Sequence, residues 1–192
     1  LSAMSGTTNS LVEISDYLYK KNPEGANTII NLLEQKYVEH IDSLYRTEEV
    51  KMQTMKFLHE EFDYLRSFTK VHFTSFEEKV ILAQGEIIST NMVTNYLMEC
   101  GVKTLLINAL DIIRTDKNAE PDMNYIKEKT SKVLEAHPGY QIYITQGFIC
   151  RNAYGEVDNL QRGGSDYTAC LIGAAVQAEE HQIWTDIDGM HN

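Results

Sequence analysis

The sequence predicts an α/β domain with a mainly parallel sheet. Three observations carry this. Apolar residues recur at steps of three and four through the first hundred positions. Strand-like runs alternate with helical patterns after Gly101. Small polar segments stand where strands end and helices begin. A length of 192 residues suits one domain with a core of ordinary size.

Leu1-Ser2-Ala3 reads as the tail of a strand, and the polar stretch Met4 to Asn9 as a loop. A first helix is expected through Leu11, Ile14 and Leu18, broken by Asn22-Pro23-Glu24-Gly25. Two long amphipathic helices follow. One is marked by Ala26, Ile30, Leu33, Tyr37, Ile41 and Leu44, the other by Met55, Leu58, Phe62 and Leu65. Thr47 stands as N-cap before the acids Glu48 and Glu49. The pattern lasts too few heptads for a coiled-coil partner surface and predicts a helical hairpin packed on the domain. A further helix starts at Ser75 and runs through Ile81, Ile88, Met92 and Tyr96. Gly85 in its middle, unfavourable there by ~1 kcal/mol relative to Ala, signals a close backbone approach or a break. Residues 102–108 and 140–145 read as strands, 109–113 as a short helix, 123–137 and 165–177 as helices, and 181–185 as a last strand. Residues 152–156 form a hairpin turn.

The charge balance is 17 basic against 28 acidic side chains, a formal −11. This excludes a phosphate-neutralising nucleic-acid face. No apolar run approaches the ~18 residues of a membrane span. Residues 1–9 lack the basic and apolar regions of a secretory signal, so a cytoplasmic location is expected. Cys100, Cys150 and Cys170 are far apart, show no CxxC spacing, and read as three buried small hydrophobes in a reducing compartment. His59-Glu60-Glu61 begins like a zinc motif, but Asp63 occupies the second histidine slot, so no protein-ligated metal is expected. The absence of an initiator Met suggests that both ends are cuts in a longer chain.

Ligands of parallel α/β sheets bind at the carboxyl ends of strands. Four segments offer chemistry there. The first, Ser2 to Asn9, is an ordinary polar turn or a loop presenting hydroxyl and N–H donors to an anion. In the second, Gln84-Gly85-Glu86, a carboxylate lies in an otherwise apolar helix. It is either part of a solvated face or a grip for a cationic substrate group. The third, Arg162-Gly163-Gly164-Ser165-Asp166, opens a helix of small residues. Two glycines allow close approach, Ser165 is a good N-cap, the helix N-terminus attracts anions, and Arg162 adds a bidentate clamp. The fourth, Trp184 to Gly189, is a polar turn or a nucleotide- or metal-contacting loop. Neither a Walker A motif nor GxGxxG is present.

Taken together, Leu1-Ser2-Ala3 with Gly6-Thr7-Thr8-Asn9, Gly85-Glu86, Thr145-Gln146-Gly147-Phe148-Ile149, Arg162-Gly163-Gly164-Ser165-Asp166-Tyr167 and Trp184-Thr185-Asp186-Ile187-Asp188-Gly189 resemble the aspartate kinases of the amino-acid kinase family. The resemblance implies a three-layer α/β/α sandwich, incomplete here, with an inserted helical region at about residues 24–100. It implies transfer of the γ-phosphoryl of ATP to the side-chain carboxylate of L-aspartate, with Mg²⁺ held mainly by nucleotide phosphates. It places Ser2, Thr8, Glu86, Phe148, Arg162, Gly163 and Ser165 at the aspartate, and Thr185, Asp186 and Asp188 at the nucleotide. Arg162 and Asp166 are then the catalytic pair, with Asp166 organising cations or Mg²⁺ rather than accepting a proton. A homodimer or homo-oligomer is implied for the full-length protein, with neither nucleic-acid nor membrane partners.

The family's opening Lys-Phe-Gly-Gly-Thr strand, its later ATP-holding lysine and its regulatory ACT domains lie outside the sequence, and Gln161 stands where the family prefers glycine. The isolated chain is therefore expected to lack kinase activity. Two other readings are an acetylglutamate or glutamate kinase of the same fold, and a non-catalytic amino-acid-binding module. A free substrate ammonium calls for Glu86, whereas an N-acyl group does not.

Overall fold

The computed structural model describes residues 1–160 and 163–184; Gln161, Arg162 and residues 185–192 lie outside the described residues. Helix α1 (Thr7–Tyr19) opens on Gly6, a left-handed residue at φ 79°. Asn22 then accepts the Gly25 N–H and starts α2 (Pro23–Leu44), with proline in the first turn, where no N–H is needed. Helix α3 (Glu48–Ser67) runs into a short 3₁₀ turn (Phe68–Lys70). Thr47 is its N-cap residue, as the sequence suggests, but its hydroxyl does not cap. It donates to Glu99, which also accepts the Arg46 and Thr47 N–H groups. A charged acceptor outcompetes the local cap and ties the start of α3 to a residue more than fifty positions further along the chain.

Helix α4 (Ser75–Glu99) opens on a capping box of Thr74 and Glu77 and runs unbroken for 25 residues. It is buried on two sides. Ile81, Ile88 and Met92 join Leu11, Ile30, Tyr37, Leu58 and Phe62 in a helical core, while Ala83 and Ile87 face a second core. A helix apolar most of the way round belongs inside a domain. Gly85 does not break it. A Cβ there would lie 2.7 Å from the Ala3 Cβ and 3.2 Å from the Thr7 Cγ2, so the glycine admits the incoming segment.

Strand β1 (Thr104–Ile107) leads through α5 (Ala109–Ile112) and α6 (Met123–Ala136) to β2 (Ile142–Thr145), which pairs with β1 in parallel from Thr104↔Ile142 to Ile107↔Thr145. The Leu1 nitrogen donates to the Thr145 carbonyl (2.8 Å), and the Leu1 carbonyl accepts from Gly147 N–H (2.8 Å). This parallel bonding pattern places the opening residues on the far side of β2, consistent with a strand end there. β3 (Ile149–Arg151) and β4 (Val157–Asn159) form the antiparallel hairpin, its turn closed by Asn152 Oδ1 on the Tyr154 and Glu156 N–H groups. Helix α7 (Gly164–Val176) follows. The second core gathers Ile107, Ile112, Ile113, Ile126, Ile149 and Leu171 between sheet, hairpin and helices.

Three expectations are corrected. The cap position of α7 is held by Gly163 at φ 80°, so Ser165 sits inside the first turn with no capping bond from its hydroxyl. A left-handed glycine takes the turn and leaves the serine free for other contacts. Residues 181–184 form no strand. Their bonds run from Gln182 to Glu180 and from Trp184 to Gln182, and Trp184 is 88% exposed. β-propensity without a pairing neighbour does not make a strand. Of the cysteines only Cys150 is buried, its thiol pushed up to about 12 by burial; Cys100 at the end of α4 and Cys170 on α7 are exposed.

Gly85→Ala tests the central packing. Helix propensity alone favours alanine by ~1 kcal/mol, but overpacking of this kind costs ~1–3 kcal/mol. Chemical denaturation is expected to show net destabilisation, whereas the same change at Gly101, whose Cβ position is open, is opposed only by its positive φ.

Candidate active site

The segment just after β2, the middle of α4, the opening residues and the first turns of α1 and α7 converge. A cavity of about 270 Å³ lies among them, lined by Ser2, Ala3, Thr8, Glu86, Phe148, Gly163, Gly164, Ser165 and Asp166. Seven residues singled out in the sequence thus line one space. Arg162, Thr185, Asp186 and Asp188 fall outside the described residues.

Both helices open the same way. Gly6 at φ 79° and Gly163 at φ 80° precede α1 and α7, and Thr8 and Ser165 each follow two residues later. First-turn N–H groups lack intrahelical acceptors and carry the positive end of the helix dipole, so two anion-attracting ends share the cavity. Lys36 of α2 reaches the Ser5 carbonyl (2.5 Å), and the Tyr37 hydroxyl meets the Thr7 hydroxyl (2.9 Å). The helical hairpin therefore buttresses the first of these ends.

Glu86 supplies the opposite charge. It is 4% exposed. Its Oε1 accepts the Ala3 N–H at 3.2 Å, while its Oε2 is buried without a hydrogen-bond partner among the described residues. Burial pushes the carboxyl up to about 7, against the pull of the Ala3 N–H. The solvated-face reading of Glu86 is thereby excluded. A buried carboxylate oxygen without a partner can accept a cationic group, which would favour its charged form.

Phe148 is held in the left-handed region at φ 67°. Its N–H donates to Thr168 Oγ1 (3.0 Å), whose hydroxyl donates to the Gly164 carbonyl (2.7 Å), and its carbonyl accepts from Leu160 N–H (2.7 Å). These bonds over-determine a conformation costing of order 1–3 kcal/mol. Gly147 packs on Ser165 so closely that a Cβ would lie 2.7 Å from Ser165 Oγ and 2.8 Å from its Cα. Asp166 is exposed in the first turn of α7, with no hydrogen bond or ion pair among the described residues. Thr168 escapes sequence reading because a threonine among alanines looks like sheet packing. Tyr37 escapes because its ring fits the apolar stripe of α2. A larger cavity of about 570 Å³ lies by Lys79, Asp158 and Tyr167. There the cation and acid already neutralise one another at 2.8 Å, so the demand for a ligand charge found at Glu86 is missing.

The cavity lies just beyond the carboxyl end of β2, where α/β proteins with parallel strands hold their ligands. The chain belongs to the amino acid kinase family, which it matches over residues 2–192. It is 29% identical over 194 residues to an aspartokinase of Chlamydia pneumoniae, an alignment covering 100% of this chain and 41% of that protein. It is 34% identical over 114 residues to lysine-sensitive aspartokinase 3 of Escherichia coli strain K12, covering 58% of this chain and 25% of the relative. The crystal structure of E. coli aspartokinase III in complex with aspartate and ADP superposes with a TM-score of 0.80 at 27% identity, over 98% of this chain and 42% of that one. The chain thus spans less than half the length of each of these proteins. No helix among the described residues is long and apolar enough to cross a membrane.

Glu86→Gln carries a signed stability prediction. With the folded-state pKa above the ordinary 4.5, the native state binds more protons than the unfolded state between 4.5 and about 7. Wild-type stability from this group therefore falls across that window as pH rises, and levels off above it. Melting curves are expected to show the glutamine variant gaining on wild type from pH 5 to pH 7 (about two units of linkage) and holding the gain at pH 8.

Proposed function

We propose that the chain carries the aspartate-binding half of an aspartate kinase, which transfers the γ-phosphoryl of ATP to the side-chain carboxylate of L-aspartate and forms 4-phospho-L-aspartate. This is the entry to lysine, threonine and methionine synthesis in a cytoplasmic, homo-oligomeric enzyme. The observation that carries the reading is the buried Glu86, its Oε2 unpartnered among the described residues, lining one small cavity together with the first turns of two helices. Aspartate has the matching pattern, one ammonium and two carboxylates. Glu86 takes the ammonium. The first turns of α1 and α7, with Thr8, Ser165 and Arg162, take the carboxylates. Phe148 walls the pocket and excludes water.

The nucleophile is a carboxylate with an ordinary pKa near ~4, already ionised at neutral pH, so no general base is required. Catalysis is then positioning and charge neutralisation. Thr185, Asp186 and Asp188 are assigned to ATP by their place in the family pattern. Bound Mg²⁺ would supply charge neutralisation on the phosphates. Asp166, exposed and unpaired among the described residues, fits an organiser of such cations.

Glu86 argues against an N-acylated substrate, because an acyl amide offers no charge to a buried carboxylate. In a coupled assay on the full-length protein, activity with L-aspartate is expected and activity with N-acetylaspartate or succinate is expected to be absent. Asp166→Asn is expected to lower turnover by about 10²-fold or more with aspartate affinity within a few-fold. Equal use of the N-acetyl compound, or a large affinity loss in Asp166→Asn, would contradict the assignment.

A further inference from the structure

The interior behind the pocket holds a second polar link, centred on Gln146. It lies just beyond β2 and is 4% exposed. Its Oε1 accepts the Ala109 N–H (2.8 Å), at the start of α5 beyond the end of β1. Its Nε2 donates to Thr90 Oγ1 (2.9 Å), and the fully buried Thr90 donates its hydroxyl to the Glu86 carbonyl (2.7 Å), one turn back along α4. The direction is fixed at every step. Because Oε1 receives a backbone N–H, the other end of the amide must be a donor. Thr90 then accepts from it, and the threonine proton goes to the carbonyls of the preceding turn, Glu86 at 2.7 Å ahead of Ile87 at 3.2 Å. The neighbouring Gly147 donates to the Leu1 carbonyl and packs on Ser165.

We infer that Gln146 is a positioning residue for the aspartate pocket, setting the depth of Glu86 against the sheet through Thr90. The inference rests on the proposal that Glu86 receives the substrate ammonium. A single buried amide joins the ends of both paired strands to the turn of α4 that carries the charge. The second link from α4, Ser89 Oγ to the Ser2 carbonyl (2.7 Å), reaches only the opening segment. Without Gln146 or the Thr90 hydroxyl, α4 keeps its apolar packing while the Glu86 turn loses its fixed distance from the strand ends.

The test is steady-state kinetics of the full-length protein with Thr90→Val, Thr90→Ser, Gln146→Met, Gln146→Glu and the Thr90→Val/Gln146→Met double variant. KM for aspartate is expected to rise about tenfold in Thr90→Val and Gln146→Met, with KM for ATP within about threefold. Thr90→Ser, which keeps the hydroxyl, is expected to restore it. Gln146→Glu, which lacks the donor and draws the threonine proton away from Glu86, is expected to fail. The double variant is expected to be no worse than the poorer single one, because the groups form one chain. If Gln146→Met does not fold, the Thr90 pair decides. A Thr90→Val enzyme with normal aspartate KM, rises in both KM values together, or additive effects would overturn the relay. Aspartate turnover by wild type together with a raised aspartate KM in Glu86→Gln would leave the functional reading standing in that event. No aspartate turnover by wild type would remove both.

Discussion

An ionisable carboxyl almost sealed from solvent, with one oxygen bonded to a single backbone N–H and the other to nothing among the described residues, is the constraint around which this structure is arranged. Burying such a group is unfavourable unless it is neutralised or paired. Glu86 responds by titrating near neutrality. Its surroundings fix its position. Gly85 lets Ala3 come close enough to bond it, Thr90 bonds its backbone carbonyl, and the first turns of α1 and α7 line the same cavity. A buried carboxyl satisfied at one oxygen costs stability, which is the usual relation between stability and function at the site proposed above.

Helix α4 makes this possible because it is a shared wall. One face completes the helical core of α1, α2 and α3, and the other packs on the sheet and hairpin. A charge on a solvent-backed helix would hydrate and lose its selectivity. Placed between two cores, Glu86 is almost wholly shielded from solvent. The helical region is therefore more than an appendage. Tyr37 and Lys36 of α2 hold the loop that opens α1, so the shape of one anion-attracting end depends on the packing of the helical hairpin.

Much of this was legible in the sequence. The apolar steps through Ala26, Ile30, Leu33 and Tyr37 return as buried residues of α2, and the strands 102–108 and 140–145 return as β1 and β2, trimmed at their ends. The pocket residues were legible because charge and glycine are conspicuous in apolar surroundings. The roles of Gln146, Thr90 and Thr168 were not, because a hydroxyl or amide inside a helix or at a strand end looks the same whether it meets water or a specific partner far along the chain. Ser165 was misplaced by one local rule: serine is a favoured cap, but a left-handed glycine before it is better suited to the turn. Periodicity cannot distinguish a solvated Glu86 from a buried one, since that depends on Ala3 arriving from 83 positions away.

With a formal charge of −11, the overall field would repel the anionic substrate proposed above, so on that proposal attraction is local, from the helix ends and from Arg162. On the same proposal, Glu86 confers selectivity for an amino group. The most direct measurement is the titration of the Glu86 side chain by carbon NMR in the full-length protein carrying labelled glutamate, assigned with Glu86→Gln, with and without L-aspartate. A midpoint near 7 in the free protein, falling well below that with aspartate and unmoved by succinate, is the predicted result. A free-protein midpoint at the ordinary 4.5, or one that aspartate leaves unchanged, would contradict the account.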